Sequence, residues 1–235
     1  SGTELALGID IGGTKIAFAL VDRAGRVLAE HRIPTQPADG VRITFDRMAD
    51  AARELLTQTA QPVAGVGVGS PGIINPITGV CQHSVNLGWV DVPIRDELRR
   101  RLALDVPIVV HHDTNAGTVG EWLFGAGRGE ENFVYLAIGT GLGMGAISEN
   151  RLLLGRGFMA MEFGHVSLNP NGRLCPCGTR GCGEIYISGM GLLAGYHEHA
   201  PQFPESPLAR QAKATVHDIV AALEAGDPLA LTIGA

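Results

Sequence analysis

Long apolar runs are missing from this sequence, and with them any stretch able to cross a membrane as a helix. Basic clusters are equally scarce. The nearest to one is Arg99-Arg100-Arg101, at the end of an expected helix, and the net charge is −6, so no electrostatic footprint for nucleic acid is expected. Charged residues make up 18% of the 235 and hydrophobic ones 45%, too little charge for disorder and enough apolar mass for a sizeable core. Of only four cysteines, three crowd between 175 and 182, which is not the pattern of a secreted disulfide framework. The opening Ser1-Gly2-Thr3-Glu4 lacks the basic and apolar regions of a signal peptide. These absences leave a cytoplasmic α/β protein with neither a membrane nor a nucleic acid as partner.

What is present falls into alternating strands and helices. Residues 5–11 and 16–21 read as apolar strands around a Gly12-Gly13 turn, and 27–33 as a third. Spacing of three and four predicts a helix over 41–59, and Val63 to Val68 reads as a strand ending in Gly69-Ser70-Pro71-Gly72. A helix is expected over 93–102 with Pro93 in its first turn, then a strand over 106–110 and a helix over 115–124. The pattern then restarts: an apolar strand at 133–138, a glycine-rich turn over Gly139–Gly143, and a strand from Met144 to Ile147. One hairpin unit used twice implies two related lobes with a cleft between them, divided here into residues 1–115 and 116–235.

Three constellations carry chemistry. Asp10-x-Gly12-Gly13-Thr14-Lys15 lies in a turn between strands, where glycines let backbone N–H groups approach a phosphate; Thr14 adds a hydroxyl, Lys15 a cation, and Asp10 can hold a hydrated Mg²⁺. An ordinary hairpin turn is the competing reading. A P-loop or Rossmann turn is disfavoured, because both need a helix directly after the glycines, and here an apolar strand follows. His165, Cys175, Cys177 and Cys182 form a Cys₃His set with glycines at the loop, the donor set of structural zinc with no position left for catalytic water. Asp113, at a strand end, is the candidate general base for a hydroxyl nucleophile; a helix N-cap is the alternative. Glu162 and Glu184 flank the zinc set and suit a polyol.

Together these residues resemble the ROK family of sugar kinases and related repressors. The matching pieces are Asp10-Ile-Gly-Gly-Thr-Lys15, Gly69-Ser-Pro-Gly72, Val85-Asn-Leu-Gly-Trp89, Asp113-Thr-Asn-Ala116, Gly139-Thr-Gly-Leu-Gly143, Glu162-Phe-Gly-His165 and Cys175-x-Cys-Gly-x-x-Gly-Cys-x-Glu184. The resemblance implies a two-lobed actin-like ATPase fold on RNase H-like sheets, ATP as phosphoryl donor with Mg²⁺, a structural Zn²⁺, and a homodimer. It implies Asp113 as base. Asp10, Gly12, Gly13, Thr14, Lys15, Thr140 and Gly141 would serve ATP and its metal. Gly72, Asn86, His112, Asp113, Glu162, His165 and Glu184 would hold a hexose phosphorylated at its 6-hydroxyl. His112 replaces the family's usual Asn, and Met161 a small residue. The family pattern continues past Ile233-Gly234-Ala235 with helices and a glycine-rich turn gripping adenosine, so the second lobe is expected to be incomplete at its C-terminus. A non-catalytic sugar-binding regulator, or a degenerate family member, is the alternative function; with only four residues before Leu5, DNA binding is not expected.

Overall fold

A computed structural model describes residues 4–234 of the chain; the first three residues of the N-terminal tetrapeptide fall outside them. The described chain divides into two compact units, Ser1–Tyr135 with Gly145–Ala160, and Leu136–Met144 with Met161–Ala235. No helix is long and apolar enough to cross a membrane.

The first unit is built on a five-stranded sheet. Strands β1 (Leu5–Ile11), β2 (Lys15–Val21) and β3 (Val27–Pro34) pair antiparallel in sequence order. Strand β4 (Val63–Ser70) runs parallel to β1, and β8 (Ile108–His112) parallel to β4, giving the order β3-β2-β1-β4-β8. Alternation explains which face is covered. Leu5, Leu7, Ile9 and Ile11 of β1, with Ile16, Phe18 and Leu20 of β2, are buried in one core together with residues of two helices. Helix α1 (Val41–Leu56) contributes Phe45, Met48, Ala49, Ala52 and Leu55, and α2 (Ile94–Leu102) contributes Ile94, Leu98 and Leu102. A small antiparallel sheet of β5 (Ile73–Asn75), β6 (Val80–Ser84) and β7 (Trp89–Val92) adds Trp89, whose ring stacks on Phe45 at 5.4 Å. The Arg101 guanidinium lies over the other partner, 5.8 Å from the Phe45 ring centre.

Helix α3 (Asp113–Phe124) follows β8 directly, and the two strands β9 (Phe133–Ile138) and β10 (Leu142–Ser148) join β11 (Arg151–Leu152) in a sheet ordered β11-β10-β9. The second unit continues with α4 (Glu184–Ile187), α5 (Gly189–His199), α6 (Val216–Glu224) and α7 (Pro228–Gly234) around Tyr196, Leu208, Ile219, Leu229 and Ala230. Within it, buried Asp227 accepts hydrogen bonds from the Ser206 hydroxyl and from the N–H groups of Leu229 and Ala230, which caps α7.

Several boundaries differ from those read off the sequence. Helix α1 stops at Leu56, its C-cap N–H from Thr57 turning back to Arg53 and Glu54 carbonyls. Pro93 precedes α2 as its N-cap residue. Helix α3 starts at Asp113, two residues early, where acceptors on Asp113 and His112 both take the Thr114 N–H of the first turn. The 115/116 division therefore falls inside α3, whose twelve residues all lie in the first unit. Small sheet β5–β7 and helices α4 to α7 had no counterpart in the sequence reading.

Phe45 is fully buried and stacked, so Phe45→Ala is expected to cost about 3–5 kcal/mol of stability, read as a lower midpoint in urea unfolding.

Candidate functional site

The first unit gathers its candidate residues at one end of the parallel strands. Register pairs Asp10 of β1 with Gly69 of β4, Gly69 with His111 of β8, and Ser70 with His112. Asp10 and Asp113 are consequently brought close. A Cβ placed on Gly69 would stand 3.7 Å from Asp10 Oδ1 and 3.4 Å from Asp113 Cα. The Asp10 carboxyl is held above its ordinary range, first by partial desolvation and then by the Asp113 charge, with Lys15 opposing both. Two carboxylates and an ammonium so arranged fit a hydrated divalent cation and a phosphate chain.

The Gly12–Lys15 turn is built rigidly. Gly12 N–H donates to Lys15 C=O at 2.9 Å, and fully buried Thr35 donates its hydroxyl to Gly12 C=O at 2.6 Å while its N–H bonds Thr14 C=O at 2.9 Å. Arg47 in turn donates to the Thr35 carbonyl. Thr35 and Arg47 were missed by sequence reasoning, since neither belongs to a motif or a periodic face. Gly13 sits against Asn86, a Cβ there lying 3.6 Å from Asn86 Cβ. Gly12, Gly13, Thr14, Lys15 and Asn86 thus cluster, all but half-buried Gly12 exposed. Gly72 has φ +108, and a side chain on it would meet His83 O at 2.3 Å. Among the candidate sugar residues of this unit, His112 and Asp113 keep 30% and 40% of their side chains exposed, with His112 Nδ1 3.2 Å from Asp113 Oδ1. The N-cap of α3 is His112, whose Nδ1 accepts from Thr114 N–H at 3.3 Å. Asp113 stands one position inside the helix and accepts from the same N–H at 2.6 Å.

The second unit holds the other candidates. His165, Cys175, Cys177 and Cys182 present ligand atoms that all lie within 4.8 Å of one another. Cys175 Sγ is 3.8 Å from His165 Nδ1, and Cys177 Sγ is 3.6 Å from Cys182 Sγ. A tetrahedral zinc with bonds of about 2.3 Å to sulfur would set such edges at about 3.8 Å, so the donors fit one ion. Cys177 is held down to about 6, first by the Thr179 backbone N–H, and Cys182 is pushed up to about 12, first by burial.

The loop closes through Cys175 N–H to Thr179 C=O at 2.8 Å and through Gly181, which has φ +77. A Cβ on Gly181 would lie 1.7 Å from Asn169 O. Arg173, stacked on Tyr186 and bonded to Glu198, ties this loop to α4 and α5 by donating to Ile185 and Gly191 carbonyls. Glu184 Oε2 accepts from Leu142 N–H at 3.0 Å, anchoring the glycine turn. The turn also meets the start of α5, where Gly189 and Met190 N–H groups donate to Gly139 and Thr140 carbonyls. Thr140, Gly141 and Glu184 are therefore neighbours. Glu162 is exposed just ahead of the short turn Phe163–His165. Cys81 is buried in the first unit, apart from the cluster, as a small apolar residue would be.

The sequence profile of the ROK family matches residues 6–234. The chain is similar to the glucokinase of Halalkalibacterium halodurans, 34% identical over 235 residues that cover 97% of this chain and 71% of that protein. It is 37% identical to the glucokinase of Streptomyces coelicolor over 201 residues, 86% of this chain and 62% of that protein. The xylose repressor of Bacillus subtilis is 31% identical over 191 residues, 80% of this chain and 49% of that protein. Among solved structures, a ROK family glucokinase from Streptomyces griseus in complex with glucose and AMPPNP aligns with a TM-score of 0.80 and 34% identity, covering 97% of this chain and 74% of that chain. The chain thus spans 62% to 71% of the length of these two glucokinases.

Gly72→Ala combines a left-handed backbone with a blocked Cβ, so it should lower stability by about 2 kcal/mol or more, visible as a fall in melting temperature.

Proposed function

The chain belongs to the ROK family and has the α/β fold of actin-like ATPases, and from that premise we propose that it is an ATP-dependent hexose kinase acting on the 6-hydroxyl of a glucose-like sugar. The observation that carries this reading is the approach of Asp10 and Asp113 at the ends of parallel strands, next to the glycine turn with Thr14 and Lys15. Asp113 is the general base that takes the proton of the attacking hydroxyl. Asp10 anchors the hydrated Mg²⁺, which when bound neutralises charge on the phosphates. Gly12, Gly13, Thr14 and Lys15 are assigned to the phosphates, and so, on the family resemblance, are Thr140 and Gly141. Gly72, Asn86, His112, Asp113, Glu162, His165 and Glu184 are assigned to the sugar on the family resemblance.

His165, Cys175, Cys177 and Cys182 would hold a structural zinc, a donor set that would cross-link the loop and leave no open position for chemistry. We assign the protein to the cytoplasm as a homodimer, on the family resemblance, with small molecules and no nucleic acid or membrane as partners. A second reading, a sugar-binding regulator without catalysis, has the similarity to the xylose repressor in its favour.

A coupled assay for ADP release on the whole natural protein, against a panel of hexoses, separates the two readings. Turnover with a glucose-like hexose supports the kinase, and sugar binding without turnover supports the regulator. Asp113→Asn is expected to keep hexose binding while losing at least ~100-fold in phosphoryl transfer; normal turnover in that variant would reduce Asp113 to a helix-end residue. Elemental analysis should find close to one equivalent of zinc. Cys177→Ser should lose metal and sugar affinity together, and a metal-free protein that still binds sugar normally ends the structural-zinc assignment.

A further inference from the structure

Resting on the reading of Asp113 as base, we propose that Thr114 is its positioning residue, dedicating its hydroxyl to Asp113 Oδ1 so that Oδ2 is the oxygen that takes the sugar's proton. Three observations carry this. Oδ1 accepts from Thr114 N–H at 2.6 Å and from Thr114 Oγ1–H at 3.2 Å, while Oδ2 accepts no hydrogen bond from any described residue. The N–H is not Asp113's alone, because His112 Nδ1 draws on it at 3.3 Å. The hydroxyl has no such competitor, and Thr114 is 6% exposed, so without Asp113 its O–H would be a nearly buried donor with nothing to bond.

A carboxylate at the first position of a helix is otherwise free to rotate about its terminal torsion, whose energy wells are broad. Two donors from one neighbouring residue fix that rotation. Oδ1 is then saturated and Oδ2 keeps its lone pairs for the substrate. In the transfer, the sugar O–H bond breaks with its proton passing to Oδ2. The sugar oxygen bonds to the γ-phosphorus, and the bond from that phosphorus to the β–γ bridging oxygen breaks, its electron pair leaving with ADP. Misorientation of the base by a fraction of an ångström would slow this step without weakening sugar binding.

The test compares Thr114→Val, Thr114→Ser and Asp113→Asn in the whole natural protein, with sugar KM, kcat and melting temperature measured for each. Thr114→Val keeps the side-chain shape and removes only the hydroxyl. It should lose about tenfold in kcat with sugar KM within about twofold of the parent, and Thr114→Ser should restore kcat to within about twofold. If Thr114→Val does not fold, Thr114→Ala is measured in its place with the same expectation. Parental kcat in the hydroxyl-free variant, or a loss that Ser does not restore, overturns the proposal while Asp113→Asn remains inactive. Turnover in Asp113→Asn overturns instead the base assignment beneath it.

Discussion

Parallel pairing of β1, β4 and β8 is the constraint on which the first unit depends. Register alone sets Asp10, Gly69 and His111 side by side, and so ends the strands in one row. Open α/β sheets bind ligands beyond the carboxyl ends of their strands, where backbone groups turn outward and loops begin. Here that edge receives two carboxylates, which repel. Asp10 is raised first by its partial burial and then by the Asp113 charge, with Lys15 a partial offset. Such a pair is poorly suited to an empty site and well suited to one that receives a divalent cation.

A different constraint governs the loop of the second unit. Its local core is small: Cys175, Cys182 and Ile185 are buried, with Tyr186 packed against them, while Leu168 and Leu174 stay largely exposed. So little apolar burial cannot by itself offset the entropy of ordering the segment from His165 to Cys182. The zinc cross-link proposed above would do what burial cannot. Four donors from two separate segments converge, two isolated β-bridges (Ser167 with Cys182, Leu174 with Arg180) align the strands between them, and Arg173 fastens the loop to the helices behind it. Because Glu184 follows Cys182 closely and also bonds Leu142, the order of the loop reaches the Thr140-Gly141 turn through this side chain as well as through the start of α5.

Local periodicity made much of this legible. Strands β1 to β4 and helix α3 announce themselves by alternation or by spacing, and the Cys₃His set by donor type, because the signals lie within a few residues of each other. Contacts across long sequence separations did not announce themselves. Thr35 bonds Gly12 across twenty-three residues and is one threonine among many until the sheet is assembled. Helices α5 and α6 are short, and α5 is broken up by glycines, which blurs a 3.6-residue pattern. The cap at α3 was half legible. An acidic residue at a helix start was expected, yet the strand runs on to His112, and the imidazole takes the capping position while Asp113 is displaced one place inward.

That displacement bears on enzyme against regulator, a choice no fold can make by itself. The chain is similar over most of its length to a glucokinase and, over four fifths of it, to a xylose repressor. A side chain whose only task is capping would put its oxygens on the free N–H groups of the first turn. Asp113 does this with one oxygen and leaves the other unpartnered among described residues, on a side chain 40% exposed beside a second carboxylate. His112 already serves as the cap, so α3 gains little from an acid at 113 that a neutral residue would not provide. A carboxylate oxygen kept free just past the end of β8 stands near a second carboxylate, Asp10, and the chemistry that uses it is proton removal from a hydroxyl. Sugar binding alone would be served as well by an amide, which accepts hydrogen bonds without adding charge. The carboxylate therefore favours the kinase reading over a binding protein that has dispensed with transfer.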